Sequence, residues 1–392
     1  MEPRKITEGV YWVGAVDWDR RLFDSLIPLP DGTSYNAYLI KGANKTALLD
    51  TVDPTKTEVL RWALRSVEKI DYVVVHHAEQ DHSGSLPAVL GKYPEAKVVC
   101  NSKCKDFLID LLHLPEDRIV TVTDGEVLDL GGKTLEFIFT PWVHWPETVS
   151  TFLREDKILF SCDLFGSHLS FPGLYIDDEQ KVCDAAKRYY AEVMMPFRAT
   201  IKKHLEKLSA YPIKIIAPSH GPLYKNPACI MDSYADWVSD RVSNTVIMPY
   251  STMHGSTELM VDHLAGRLYE HGVEVERFNL AYADTGRITM ALVDAATVVF
   301  GSPTVLGGAH PHVISAAFLI NALRPKLRYS AIIGSLGWAG KMAEQVTANI
   351  GNLKAESLGV VLVKGRPRQD DLKKLDELAE AIATKHKENG II

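Results

Sequence analysis

His77-Ala78-Glu79-Gln80-Asp81-His82-Ser83-Gly84 sets four ionisable, ligand-type side chains in one short turn. The apolar run Tyr72-Val73-Val74-Val75 precedes it and reads as a buried strand, and Gly84 opens a helical pattern after it. His77 and Glu79, two apart, point the same way if strand pairing persists, while Asp81 and His82 sit on the turn itself. Charges crowded this densely are expensive unless something satisfies them, and a pair of metal ions does so. The competing reading is a solvated acidic turn with incidental histidines. The density of the spacing and the strand-turn-helix setting favour the metal.

Composition narrows the classes. A chain of 392 residues is expected to hold two or three domains, and its 46% hydrophobic and 24% charged content is that of an ordinary globular protein. A net charge of -7 without a basic stripe argues against nucleic acid or an anionic membrane as the main partner. The start, Met1-Glu2-Pro3-Arg4-Lys5, lacks the apolar segment of a signal peptide, and no run approaches a transmembrane length. A cytoplasmic protein is expected. The five cysteines, Cys100, Cys104, Cys162, Cys183 and Cys229, form no CxxC pair, so neither a disulfide framework nor a rubredoxin-type iron site is expected. All five read as structural or incidental thiols.

Taken in order, residues 10–13, 35–40 and 46–50 read as strands, with Asp31-Gly32 and Gly42-Ala43-Asn44 as turns. Asp50 ends its strand either as a support to the metal stretch or as a cap near Asp53-Pro54. A helix over about 56–68 leads to the strand before His77. His76 alternates to the other face of that strand and stays outside the metal set. The period-2 strand 134–139 delivers Thr140-Pro141-Trp142-Val143-His144-Trp145-Pro146-Glu147. A lone His between two Trp is ordinarily a packed core histidine, yet His144 again follows a strand directly. Residues 157–162 lead to Asp163, and residues 213–217 lead to Pro218-Ser219-His220-Gly221. His168 is placed to support the site or line a substrate pocket. Asp177-Asp178-Glu179 reads as a solvated helix start, followed by helices around 181–195 and 198–209.

After a helix over about 227–242 the texture changes at Ser243-Asn244. Strands at 245–249, 274–278, 297–301, 329–334 and 358–363 alternate with helices, the last at 369–387, which argues a doubly wound parallel sheet. Its first strand runs into Ser251, Thr252, Met253, His254, Gly255, Ser256 and Thr257 at a helix start, an uncharged cradle for a phosphate. No P-loop lysine is present. Ser302, Pro303, Thr304 and Val305 follow the third strand, and Ser335, Leu336, Gly337, Trp338, Ala339 and Gly340 follow the fourth. All three loops lie at carboxyl strand ends, where such sheets bind ligands.

His77-x-Glu79-x-Asp81-His82 resembles the HxHxDH metal motif of the metallo-β-lactamase fold, with Glu79 in the second His position. The extra carboxylate hardens the site, away from zinc and toward iron or manganese. In that form, with Thr140-Pro141-x-x-His144-Trp145-Pro146 and Pro218-Ser219-His220-Gly221, the chain resembles the flavodiiron proteins, or A-type flavoproteins, over roughly residues 5–388. The resemblance implies a metallo-β-lactamase-like αββα sandwich over 1–243 and a flavodoxin-like FMN-binding domain over 244–392. It implies two non-haem iron ions, one held by His77, Glu79, His144 and Asp163, the other by Asp81, Asp163 and His220, with Asp163 bridging. His82 either ligates the second iron or turns away. The three later loops would hold the phosphate and flank the isoalloxazine, and Trp338 either stacks on the flavin or packs elsewhere. Glu147 and Thr148 stand where the family often has Asp and Ser.

The expected function is reduction of dioxygen to water, or alternatively of nitric oxide to nitrous oxide. Electrons come from an external donor, rubredoxin or a reduced deazaflavin coenzyme, through FMN. The minimal form, without a fused rubredoxin or flavin-reductase module after the flavodoxin-like half, is expected. The resemblance also implies a head-to-tail homodimer, or a dimer of dimers, that brings one chain's FMN beside the other chain's irons. Two other classes compete: a dizinc hydrolase, which Glu79 and the second domain oppose, and a plain electron carrier, which leaves the ligands unexplained. A colourless zinc protein without flavin would mark the first, and an iron-free redox protein the second.

Overall fold

Alternation along the early strands decides which side chains meet. In Thr46–Leu49, Leu48 faces one core while Ala47 and Leu49 face another. Tyr72–Val74 and Lys97–Cys100 divide in the same way, Val73 and Val98 to the first core, Val74 and Val99 to the second. The computed structural model describes residues 2–392, which form two compact units. One comprises the chain up to Tyr190 with Phe197–Val238; the other comprises Ala191–Pro196 and Ser239–Ile392.

Among the described residues, the first unit stacks two sheets. Seven strands run in the order Arg4–Thr7, Val10–Trp12, Tyr38–Lys41, Thr46–Leu49, Tyr72–Val74, Lys97–Cys100, Ile119–Thr121, antiparallel at the start and parallel from Thr46–Leu49 onward. Five more run Val127–Asp129, Thr134–Phe139, Val149–Leu153, Ile158–Cys162, Ile215–Pro218, only the last pair parallel. Between the sheets Tyr38, Leu49 and Val74 meet Phe137, Phe160 and Ala217. Outside the first sheet lie Leu60 and Ala63 of helix Thr57–Ala63, Val89 of Leu86–Lys92 and Leu108 of Ser102–Leu112. Outside the second, Tyr211 packs on Phe152 beside the helix Arg198–Leu208. This is the expected αββα sandwich.

The strand directions place the site. Thr46–Leu49 and Tyr72–Val74 share one direction, as do Thr134–Phe139, Ile158–Cys162 and Ile215–Pro218, so the carboxyl ends gather the loops that carry the candidate ligands. Asp50 and Cys162 close two of these strands in left-handed conformations, φ 54° and 53°. Each such non-glycine residue costs about 1–2 kcal/mol, which the surrounding hydrogen bonds must offset.

Three local expectations change. The single strand over 35–40 is two, Thr33–Tyr35 and Tyr38–Lys41, in different sheets. Asn36 breaks it: its buried Nδ2 donates to the carbonyls of Pro218 and Gly221, 2.8 Å each, and its Oδ1 accepts from Trp12 Nε1. The segment thereby leaves the ladder to tie down the His220 loop. The helix over 56–68 is a 3₁₀ turn, Pro54–Lys56, capped by Asp53, followed by Thr57–Ala63. Strand Tyr72–Val74 ends before His77, and Gln80–Ser83 already forms a helical turn, so Asp81 and His82 project from a helix start.

The second unit is built on five parallel strands, in the order Glu274–Asn279, Ser243–Tyr250, Ala295–Val305, Tyr329–Leu336, Glu356–Lys364, with the short Gly308–Ala309 pairing antiparallel onto Ala295–Val305. Helices Ser256–Glu270 and Gln369–Glu388 bury Met260, Leu264, Leu375 and Ile382 against Val246, Met248 and Val299 on one face. Strand order reverses beside Ser243–Tyr250, so the crevice outside its carboxyl end is the ligand position for a flavodoxin-like sheet. Among the described residues no helix is long and apolar enough to cross a membrane.

Candidate metal centre

The turn after Tyr72–Val74 and the loops after three strands of the second sheet converge on two clusters. His77, Glu79, His144 and Asp163 offer ligand atoms all within 4.8 Å of one another, as do Asp81, His82 and His220. In the first, Glu79 Oε2 lies 3.0 Å from His77 Nε2 and 3.2 Å from His144 Nε2. In the second, Asp81 Oδ2 lies 3.1 Å from His220 Nε2 and Asp81 Oδ1 3.4 Å from His82 Nε2. Asp163 belongs to both. Its Oδ2 is 3.7 Å from His77 Nε2 and 3.9 Å from His144 Nε2, while its Oδ1 is 3.1 Å from His82 Nε2 and 3.5 Å from His220 Nε2.

The surrounding hydrogen bonds orient these rings. Glu147 Oε1 accepts from His77 Nδ1 at 2.7 Å and from the Ala78 backbone N–H at 3.0 Å. The Ser34 carbonyl accepts from His220 Nδ1 at 2.8 Å. Both of these histidines therefore turn Nε2 toward the cluster, where its lone pair could meet a cation. His76 is engaged elsewhere, with Asp50 at Nδ1 and Thr151 at Nε2, so Asp50 supports the strand end through His76 and caps no helix. His82, left open by sequence, faces inward beside Asp81 and Asp163. His168 is buried against Phe23, Tyr189 and His220, with Thr33 at its Nδ1.

Electrostatics test whether cations fit. Burial opposes a charge on His77, yet Glu147, Glu79 and Asp163 outweigh it and hold its pKa well above the usual range. Burial likewise opposes a charge on His82, but Asp81 and Asp163 push its pKa up to about 10. Against their own burial, the neighbouring histidines hold the Glu79 and Asp163 carboxyls below the carboxylate range. The cluster thus demands positive charge, which protons on imidazole supply here. Both oxygens of Asp81, both of Asp163 and Nε2 of His82 are buried with no hydrogen-bond partner. Buried carboxylates with charge contacts but no hydrogen bonds are costly, and two cations would satisfy them all while leaving the histidines neutral. The donor set, histidine with three carboxylates, suits iron or manganese better than structural zinc.

The supporting role of Glu147 leaves no signal in the sequence, because nothing in the local pattern connects it to a histidine 70 residues earlier.

In the second unit, Thr252, His254, Thr257, Pro303, Ser335 and Trp338 line a hollow of about 290 Å³. Gly255, φ 80°, caps the helix Ser256–Glu270 without a side-chain hydrogen bond, which leaves the first-turn N–H groups free for an anion. Ser251 Oγ is buried and unpartnered at the same strand end. Thr257, in the first turn of that helix, and Ser335, near the end of strand Tyr329–Leu336, hydrogen-bond each other at 3.1 Å; Ser302–Val305, expected to follow its strand, instead forms the end of Ala295–Val305. Trp338 stands exposed at the rim. These features fit a phosphate-bearing planar ligand.

Residues 33–221, which enclose both metal clusters, match the family described as ODP family beta lactamase. The whole chain is 35% identical to a protein named nitric oxide reductase from Moorella thermoacetica, over 98% of this chain and 99% of that one. The chain belongs to the flavodiiron protein family. Solved flavodiiron relatives include rubredoxin oxygen:oxidoreductase from Desulfovibrio gigas, with TM-score 0.95, 29% identity and coverage of 98% and 99%. The flavodiiron protein from Giardia intestinalis gives TM-score 0.89 and 28% identity, covering 98% of each chain. The chain is accordingly an oxidoreductase of the flavodiiron type.

Proposed function

We propose that this flavodiiron protein reduces dioxygen to water at a pair of iron ions, using electrons that an external donor delivers through FMN. The observation that carries the reading is the sharing of Asp163, whose two oxygens face separate ligand groups. His77, Glu79, His144 and Asp163 would hold one ion, and Asp81, His82, His220 and Asp163 the other. Iron bound there would supply redox electrons and open positions for a diatomic gas, and FMN, which Ser251–Thr257, the strand end 302–305 and the segment 335–340 would hold, would supply a two-electron carrier.

The chain's own groups do the rest. Asp163 faces both groups, and its charge would offset the repulsion between two cations held there. Glu147 holds the proton on His77 Nδ1 and the Ser34 carbonyl holds that on His220, so both rings keep Nε2 as lone-pair donors. Phe23, Tyr35 and Tyr189 wall His220 with ring contacts of 5.8–6.3 Å, which limits bulk water on that side. Rubredoxin or a reduced deazaflavin coenzyme is the proposed donor, a homodimer or dimer of dimers the proposed assembly, and the cytoplasm the proposed setting.

A second reading, reduction of nitric oxide to nitrous oxide at the same groups, is favoured by the relative named nitric oxide reductase. Anaerobic photoreduction of the iron- and flavin-loaded protein, then separate exposure to each gas, tests both. Repeated fast flavin reoxidation with dioxygen and little with nitric oxide is expected; the reverse result selects the second reading. A single slow turnover with each gas rejects both.

A further inference from the structure

Cys183 and Cys229 stand 46 positions apart on helices Glu179–Tyr189 and Pro227–Trp237, and their sulfurs are 3.2 Å apart. Both are half-buried and line a hollow of about 240 Å³ that also takes in Tyr175, Glu179, Lys225 and Asn226. Lys225 Nζ sits 4.5 Å from the Tyr175 ring centroid at this hollow and offers a cationic contact to an anionic guest. The other cysteines differ. Cys100, Cys104 and Cys162 are buried and line none of this hollow.

We propose that Cys183 and Cys229 form an accessible dithiol that closes to an intrachain disulfide by exchange with a small-molecule disulfide entering this hollow. Cys183 Sγ, as thiolate, attacks one sulfur of the incoming disulfide and expels the other half, which takes up the proton that Cys183 lost. Cys229 Sγ, losing its proton in turn, attacks Cys183 Sγ and expels the second half as a second thiol. Two protein thiols lose two electrons and two protons, and one small disulfide gains them. Burial and the neighbouring Cys183 push the Cys229 thiol up to about 12, so closure is slow at neutral pH and speeds up as pH rises.

The bond would tie together two supports of the metal loops. Helix Glu179–Tyr189 ends in Tyr189, whose ring packs 4.8 Å from His168 and 5.8 Å from His220. Helix Pro227–Trp237 carries Tyr234, whose ring lies 4.9 Å from that of Phe165, two residues beyond Asp163. Closing a loop of this length constrains the unfolded chain and stabilises the first unit.

The test incubates reduced holoprotein with oxidised glutathione under argon at pH 8, then quenches with an alkylating agent. Quenched in denaturant, the chain should carry three alkyl groups where the fully reduced chain carries five, and a digest should join the Cys183 and Cys229 peptides. The thermal midpoint should rise by about 3 °C or more. Cys183→Ser should show neither the link nor the rise. Five free thiols after prolonged exposure, a persisting glutathione adduct without the link, a link through other cysteines, or an unchanged midpoint would overturn the proposal.

Discussion

Glu147 Oε1 and His77 Nδ1 are 2.7 Å apart, and neither side chain is reached by solvent. The same oxygen accepts the Ala78 backbone N–H, so one carboxylate fixes both the ring and the chain that carries it. A carboxylate in this place raises the basicity of the opposite ring nitrogen and locks its tautomer. Glu147→Gln keeps the shape and removes the charge. Its metal affinity, measured by competition with a chelator, should fall about 10–100-fold while the fold persists. Unchanged affinity would show that the ring is held by packing alone.

The division of Asp163 between two clusters makes a stoichiometric prediction. Glu79→Gln should lower occupancy of the first position, and Asp81→Asn that of the second, each leaving roughly one metal ion per chain by elemental analysis. Asp163→Asn touches both groups and should leave less than either. Equal losses in all three variants would mean that the clusters act as one site.

How far these arrangements were legible in sequence depends on distance along the chain. His77, Glu79, Asp81 and His82 sit within six residues, and His144, Asp163 and His220 each follow a strand, so the pattern of strand ends marks them. Five apolar strands spaced by helices likewise reveal the second sheet. Contacts that only the folded chain creates leave no such trace. Asn36 reaches Pro218 across 182 positions, Thr33 meets His168 across 135, and Cys183 meets Cys229 across 46. The split of 35–40 into two strands was invisible for the same reason, because its cause is a carbonyl in a distant loop.

His386 sits fully buried in the last helix of the second unit, 2.7 Å from Thr297 Oγ1 and 2.8 Å from Asn244 Oδ1. Burial holds its pKa below the usual histidine value, so at low pH the unfolded chain takes up a proton that the folded chain resists. Its contribution to stability is therefore complete above about pH 6.5 and is lost as pH falls from there toward the lowered folded value. His204, lowered by burial beside the Pro141 carbonyl, adds in the same direction. The wild type should lose denaturant resistance between pH 7 and pH 5 more steeply than His386→Gln, with matching slopes above pH 7. Parallel curves throughout would remove His386 from the linkage.

Ser251 offers a separation of stability from binding. Its buried Oγ has no partner in the folded chain, and an unpaired buried hydroxyl costs about 1–3 kcal/mol. Ser251→Ala removes that cost and should leave the flavin-free protein as stable or slightly more so, read as an equal or higher thermal midpoint. If the hydroxyl instead donates to the phosphate dianion of FMN, the same change deletes a charge-assisted hydrogen bond worth about 1.5–3 kcal/mol. Flavin affinity, followed by quenching of FMN fluorescence, should then weaken by roughly 10–100-fold. The two effects carry opposite signs, which a general packing defect cannot produce. A variant that lost stability and affinity together would make Ser251 a structural residue, and one that kept its affinity would move the phosphate to other groups of the cradle.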